Sequence, residues 1–534
     1  MKETSLGEIV DRLRINLRVA DIVVSDEDLK LIAEKGFLNS VLAFETAIRG
    51  GDASDRPEFA PKSTASTEAD TRMAGHPIAG FGAGSRIRTE DPLGGDIVET
   101  VRQLRSGETS PLELLEASLA RIESRNPSIN AFANVRAEEA RAEAKAAGEE
   151  FARGSIRGPL QGIPVAVKDI FDVEGMATKA GTIILGTETA SRDATAVGRL
   201  KKAGAIIVGK TRLPEFSFSP GSNNDHYGPT RNPRDPERDS GGSSAGSAAA
   251  VADSMALAAL GSDSGGSIRI PASFCGVFGW KPAYGWASLE GSVGLSWSLD
   301  TLGVLAKSVR DAELLASILA DRGPMAETTA WKGSGTTSGR SLAGMRIAAI
   351  RGEGRGRPLA DPDVLTSWAT GLDALRDAGA DVVDVEVEEF PALRAINGAI
   401  LSMEAAALHR DLQAKRLSDY GEFARLGLLV GWAYGPADYL RARQSLGRLR
   451  ADLSAKFPAV DLYCSPTMTS EATALGKPPK ITFTAPFNAL GWPAMSVPWG
   501  RGAKGLPVGL QLAAEPGGES AILEAAAALE ARLP

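Results

Sequence analysis

With three histidines and two cysteines in 534 residues, the chain has little stock for imidazole or thiol chemistry. Cys275 and Cys464 stand far apart in apolar settings. A disulfide framework and a C-x-x-C metal or redox site are therefore excluded, and both read as buried free thiols. A Ser-His-Asp hydrolase or a histidine-rich metal centre must draw on His76, His226 and His409 alone. His76 lies in a Gly/Pro-rich segment and His409 in a helical-looking run over 403–415, where a packing role is the simpler expectation. No metal and no cofactor are expected.

Long apolar runs are also missing. The longest stretch of small apolar residues, 247–260, is interrupted by Asp253 and is too short to cross a bilayer, so it reads as one buried helix. The start, MKETSLGEIVDRLRINLRV, lacks a basic region followed by an apolar one, and lacks a small-residue cleavage site. A cytoplasmic protein without a membrane partner is the expectation. Positive charge is not in surplus, with 59 Lys and Arg against 67 Asp and Glu and a net charge of −8, so no nucleic-acid partner is expected. The apolar share of 43% and charged share of 24% are ordinary for a globular chain.

Residues 1–60 carry apolar positions at helical spacing, among them Ile32, Phe37, Val41, Leu42 and Phe44, and predict a small N-terminal helical module. Residues 61–94, rich in Gly, Ser, Thr, Pro and Asp, read as a linker, and a catalytic domain is expected over 95–534. Ser110, Pro111 and Glu113 form a capping box with proline at the first helical position, taken as the first helix of that domain. Beyond it, strands expected over 163–167, 205–208, 346–350 and 382–387 are separated by helices over 193–203 and 363–378, with a last helix over 520–533. That alternation predicts an α/β fold with a central sheet covered by helices.

Two Gly/Ser loops stand out, Gly241 to Ser247 and Gly261 to Arg269. A flexible linker fits poorly, because apolar flanks would draw both loops into a core. Neither loop has the phosphate-binding P-loop form or a dinucleotide fingerprint. An oxyanion hole is the remaining reason for such backbone, with N–H groups of Ser264, Gly265, Gly266 and Ser267 converging on a tetrahedral intermediate and Ser267 as nucleophile. A serine hydroxyl needs a base, and no histidine is placed by its context to serve. Lys168 follows the apolar run 163–167, where desolvation lowers an amine's pKa and leaves it neutral.

The stretches GIPVAVKDIFDVEGMATKAGT, GPTRNPRDPERDSGGSSAGSAAAVA, GSDSGGSIRIPASFCGVFGWKPAYG and TAPFNALGWPAMSVPWG followed by GLPVGLQL together resemble the signature blocks of the amidase signature family, in order, over about residues 97–534. The resemblance implies that family's fold, a central mixed sheet covered by helices on both faces. It implies hydrolysis of an amide-type C–N bond in a carboxamide, aryl acylamide or carbamate. Its pattern puts the base on Lys168, a relay serine in a cis peptide on Ser243 and the nucleophile on Ser267, with Ser244, Asp263 and Arg269 tying the loops together. Phe171, Phe216, Trp280 and Trp297 are candidates for the substrate pocket by order in the chain alone. A small amide or carbamate as substrate and a homodimer are the expected partners.

Two other functions compete. Gly242 to Gly246 satisfies G-x-S-x-G, the nucleophile elbow of an α/β-hydrolase-type esterase with Ser244 as nucleophile and His409 as the one downstream histidine. The other is the glutaminase subunit of a tRNA-dependent amidotransferase, which shares the amidase signature fold and works in a complex. The acidic start at Ser25 to Asp28 and the helical pattern through Ala43 resemble the small helical partner of such complexes, as though fused.

Overall fold

The computed structural model describes residues 5–48, 93–320, 341–353, 359–457 and 459–533. Almost all of the expected linker, and His76 with it, lies outside the described residues.

The chain opens with three helices, α1 (Leu6–Val19), α2 (Asp26–Glu34) and α3 (Asn39–Ala47). Ser5 and Glu8 close a capping box on α1, and Ser25 accepts the Asp28 N–H to cap α2. Apolar side chains at helical spacing, Ile9, Leu13 and Leu17, then Leu29 and Ile32, then Val41 and Phe44, fall on the buried side of each helix. They share one apolar cluster with Phe390, Leu393, Ile396 and Ile400 of the helix Phe390–Leu408. Asn16 fastens the contact by donating from Nδ2 to the carbonyl of Trp432 at 2.7 Å.

The rest of the chain is organised by one eleven-stranded sheet. Its strands are β1 (Phe132–Val135), β2 (Pro164–Lys168), β3 (Ile206–Thr211), β6 (Ala258–Asp263), β7 (Phe278–Lys281), β8 (Thr301–Ala306), β9 (Arg346–Gly352), β10 (Asp381–Glu386), β11 (Leu462–Pro466), β12 (Ala494–Arg501) and β13 (Pro507–Ala513), while β4 (Arg231–Asn232) and β5 (Asp235–Asp239) form a separate hairpin. The order is β1-β3-β2-β6-β8-β7-β12-β13-β11-β9-β10. Beside the antiparallel edge strand β1, strands β3, β2 and β6 run parallel, as do β11, β9 and β10 at the other end, with antiparallel pairing between the two groups, so the sheet is mixed. Strands β2, β6, β8 and β13 are buried along their whole length, as expected of strands covered on both faces by helices.

Two expectations are corrected. The helix Ile97–Ser106 precedes the capped helix Pro111–Ile129, which is therefore not the first of this part of the chain. The apolar run 247–260 is not one helix. It divides into the helix Ala245–Ala252 and strand β6. Asp253 ends the helix, its carboxylate held by Arg121 and Arg125 at 3.0 Å each, and Ser254 turns the chain at φ 56°. The alanines beyond are recruited by pairing with β2 and β8, where tertiary partners override local helix preference.

Because α1–α3 and the helix Phe390–Leu408 share an apolar cluster, truncating its centre is felt by both. Phe44, fully buried and edge-on to Tyr434 at 5.5 Å between ring centroids, is the test position. Phe44→Ala is expected to cost about 3–5 kcal/mol, read as a lower urea midpoint in one transition.

Candidate active site

Parallel strands β2 and β6 end at Lys168 and Asp263, and the two Gly/Ser loops meet there. The loop before the helix Ala245–Ala252 passes so close to another backbone segment that a side chain on Gly242 would collide with the Gly221 carbonyl. The Gly242–Ser243 peptide is cis. The second loop, between β6 and the helix Arg269–Cys275, needs glycine at Gly266, where φ is 136° and a Cβ would strike Thr484.

Lys168 is fully buried, and its Nζ donates to Ser243 Oγ at 2.7 Å and to Ser262 Oγ at 2.9 Å. Burial pulls its pKa down to about 7, against the opposing pull of Asp300 and Asp263. Ser267 is half-buried, and its hydroxyl makes no hydrogen bond among the described residues. The Ser267 carbonyl accepts the Ser244 N–H at 3.0 Å, which holds the two loops together.

Asp263 and Arg269 form the scaffold beneath. Both are fully buried, with Arg269 Nε donating to Oδ2 and Nη2 to Oδ1, each at 3.0 Å. Burial works against the carboxylate, but Arg269 overrides it and holds Asp263 well below the usual carboxyl range. The free face of Asp263 accepts the Gly266 N–H at 2.7 Å and the Ile268 N–H at 3.1 Å. Gly266 thus departs from the expected set of oxyanion donors, because its N–H is already spent on Asp263. The N–H groups of Ser264, Gly265 and Ser267 have no acceptor among the described residues.

Residues not singled out from the sequence complete the site. Ser262 is the second acceptor for Lys168. Asp300 accepts from Ser264 Oγ at 2.5 Å, with burial raising its pKa. Asn397 Nδ2 donates to the Ser264 carbonyl at 3.2 Å and Thr484 Oγ1 to the Gly265 carbonyl at 2.7 Å, so both peptide oxygens of the loop are pinned from other parts of the chain.

The aromatic candidates do not share one environment. Phe171 and Trp280 are buried in the main apolar cluster, Phe216 packs edge-on to His409 at 4.4 Å, and Trp297 is half exposed. Phe171 and Trp280 act as core, since a side chain sealed on all sides offers no wall to a ligand. The elbow reading also finds no base. The Ser244 hydroxyl is spent on the Ser262 backbone, donating to its carbonyl at 3.1 Å and accepting its N–H at 3.3 Å. His409 instead shares a hydrogen bond with Tyr420 at 3.0 Å, and His226 one with Glu215 at 2.8 Å. No group of three or more His, Cys, Asp or Glu among the described residues is placed to hold a metal.

The family model for amidases matches residues 113–523. The chain belongs to the amidase signature family. It is 36% identical, over 80% of its length, to the A-type subunit of glutamyl-tRNA(Gln) amidotransferase from Geobacter metallireducens, of which 95% is covered. It superposes on the crystal structure of an amidase with a TM-score of 0.74 at 36% identity, covering 82% of this chain and all (100%) of that one. The peptide amidase of Stenotrophomonas maltophilia gives a TM-score of 0.70 at 31% identity, over 82% of this chain and 97% of that one. The amidase signature enzyme is thereby of the C–N hydrolase type.

These relatives correct the expected partners. A small amide or carbamate alone, no nucleic acid and a homodimer do not fit a chain whose curated relatives are named as subunits of an enzyme for glutamyl-tRNA. Overall acidity misled here, because net charge describes a whole surface and not the company a subunit keeps. No helix among the described residues is long and apolar enough to cross a membrane.

With Lys168 as base, kcat/KM is expected to fall with a one-proton slope below about pH 7 as the amine takes up its proton. Asp300 favours the charged amine, so Asp300→Asn is expected to move that acid limb to lower pH. A fluorophosphonate serine probe is expected to label the protein and the His409→Ala variant equally, and to label Ser267→Ala not at all.

Proposed function

We propose that this amidase signature enzyme hydrolyses a primary carboxamide through an acyl-enzyme on Ser267, releasing ammonia as the catalytic component of an amidotransferase-type assembly. Supporting the chemistry is a buried amine, Lys168, hydrogen-bonded to Ser243 beside a serine whose neighbouring N–H groups are open. Neutral Lys168 takes the Ser243 proton while Ser243 takes that of Ser267, whose Oγ attacks the carbonyl carbon. The oxyanion settles on the N–H groups of Ser264, Gly265 and Ser267, an arrangement whose donors are worth about 3–4 kcal/mol each in comparable sites. Collapse breaks the C–N bond, and the relayed proton leaves with ammonia. Water enters by the same relay and frees the acid.

The assembly is supported by coverage, since the match to the amidotransferase relative spans 95% of that chain. A cytoplasmic location goes with this reading. Helices α1–α3 belong to it as a module that covers one flank of the catalytic part, over the helix Phe390–Leu408.

A free-standing amidase is the second reading, favoured by the likeness to the peptide amidase at 31% identity over 97% of its chain. Ammonia release is to be measured with L-glutamine, a C-terminal peptide amide and an anilide. Each is tested with the protein alone and with the other subunits of a glutamyl-tRNA(Gln) amidotransferase plus glutamyl-tRNA. Preference for glutamine that rises with partners is the expected result. Turnover of peptide amide or anilide, with no glutamine activity under either condition, would establish the second reading in its place.

A further inference from the structure

Strands β2, β3 and β6 run parallel, so their carboxyl ends open on one edge of the sheet. Lys168 and Asp263 stand at two of those ends, and Arg212 follows the third. This edge is where open α/β sheets receive ligands. Beyond the ends of β2 and β3 lies a cavity of about 140 Å³, lined among others by Asn134, Asp169, Lys179, Gly181, Arg212 and Tyr227. Neither Ser243 nor Ser267 lines it.

Its charge is unbalanced. Asp169 is the one carboxylate in the wall, and it is taken: Lys210 pairs with it at 2.8 Å and the Lys179 backbone N–H points at it from 3.4 Å. Two cations are left over. Arg212 lies over the Tyr227 ring with its guanidinium carbon 4.5 Å from the centroid, its Nε is buried without an acceptor, and it has no ion pair among the described residues. Lys179 likewise has no ion pair among them. A guanidinium held flat by an aromatic ring in a cavity wall presents a rigid planar fork suited to a two-oxygen anion. The space exceeds that of a few waters, each of about 30 Å³. A tetrahedral anion would use the charge but not the planar fork.

We propose that this cavity is a binding site for a small organic carboxylate, held by Arg212 and Lys179 at the carboxyl edge beside the catalytic loops. The carboxylate's two oxygens face the Arg212 fork, and the Lys179 ammonium supplies the second charge. Asn134 and Tyr227 offer the polar and flat surfaces around it.

The test is calorimetric titration of the full-length protein with acetate, L-glutamate and inorganic phosphate at constant ionic strength. No turnover is involved, so the result is independent of which amide the enzyme cleaves. Saturable one-site binding of a carboxylate is expected, weakened about tenfold to a hundredfold in Arg212→Gln and retained in part in Arg212→Lys. Lys179→Gln is expected to weaken it as well, and thermal melting of each variant reports whether it is folded. Absence of saturable carboxylate binding, phosphate binding in its place, or carboxylate affinity unchanged in both Arg212→Gln and Lys179→Gln would overturn the proposal.

Discussion

The burial of the Lys168 amine governs this site. An ammonium removed from water costs several kcal/mol unless it is paired with a carboxylate, and the atoms that Lys168 touches, Ser243 Oγ and Ser262 Oγ, are neutral hydroxyls. The nearest negative charges, on Asp263 and Asp300, oppose the burial without cancelling it. An amine so placed is available as a base near neutrality, and a chain poor in histidine has no need of another.

The loop beside that amine is anchored to strands far apart in sequence. Arg269 reaches from the second loop to Asp263, to Asn488 at 2.5 Å and to Gln511 on β13 at 2.7 Å. Asp263 converts this anchorage into backbone geometry by holding the Gly266 and Ile268 N–H groups, which turns the loop and leaves its other amides open. The pair is fully buried, so removing one partner would strand a charge rather than merely lose a bond. Asn397 connects the same loop to the helix on which α1–α3 rest. Packing of α1–α3 and the second loop of the candidate site thus meet on one helix.

Much of this was legible in local pattern. The capping box at Ser110, the apolar run before Lys168 and the two Gly/Ser loops each carry their meaning within a few residues. What local pattern misjudged was decided by partners distant in sequence. Residues 258–260 are alanine and leucine, good helix formers, yet they pair with β2 because Asp253 stops the helix on two arginines. Gly266 looked like an open donor because the reach of Asp263 across three residues is a matter of loop shape. Ser262, Asp300 and Asn397 sit in ordinary contexts and become site residues only when the sheet and the helix Phe390–Leu408 bring their atoms to Lys168 and Ser264. The partner expectation rested on net charge, and the named relatives overturn it.

The central claim is that Lys168 gives up its proton near neutrality and not in the ordinary lysine range. Nitrogen-15 NMR of the lysine side chains, with Lys168→Met to assign the resonance, measures this directly in the resting protein. The account predicts one amine titrating near pH 7 that is missing from the variant. A Lys168 signal that stays protonated to the ordinary lysine range of about 10.4 would contradict it.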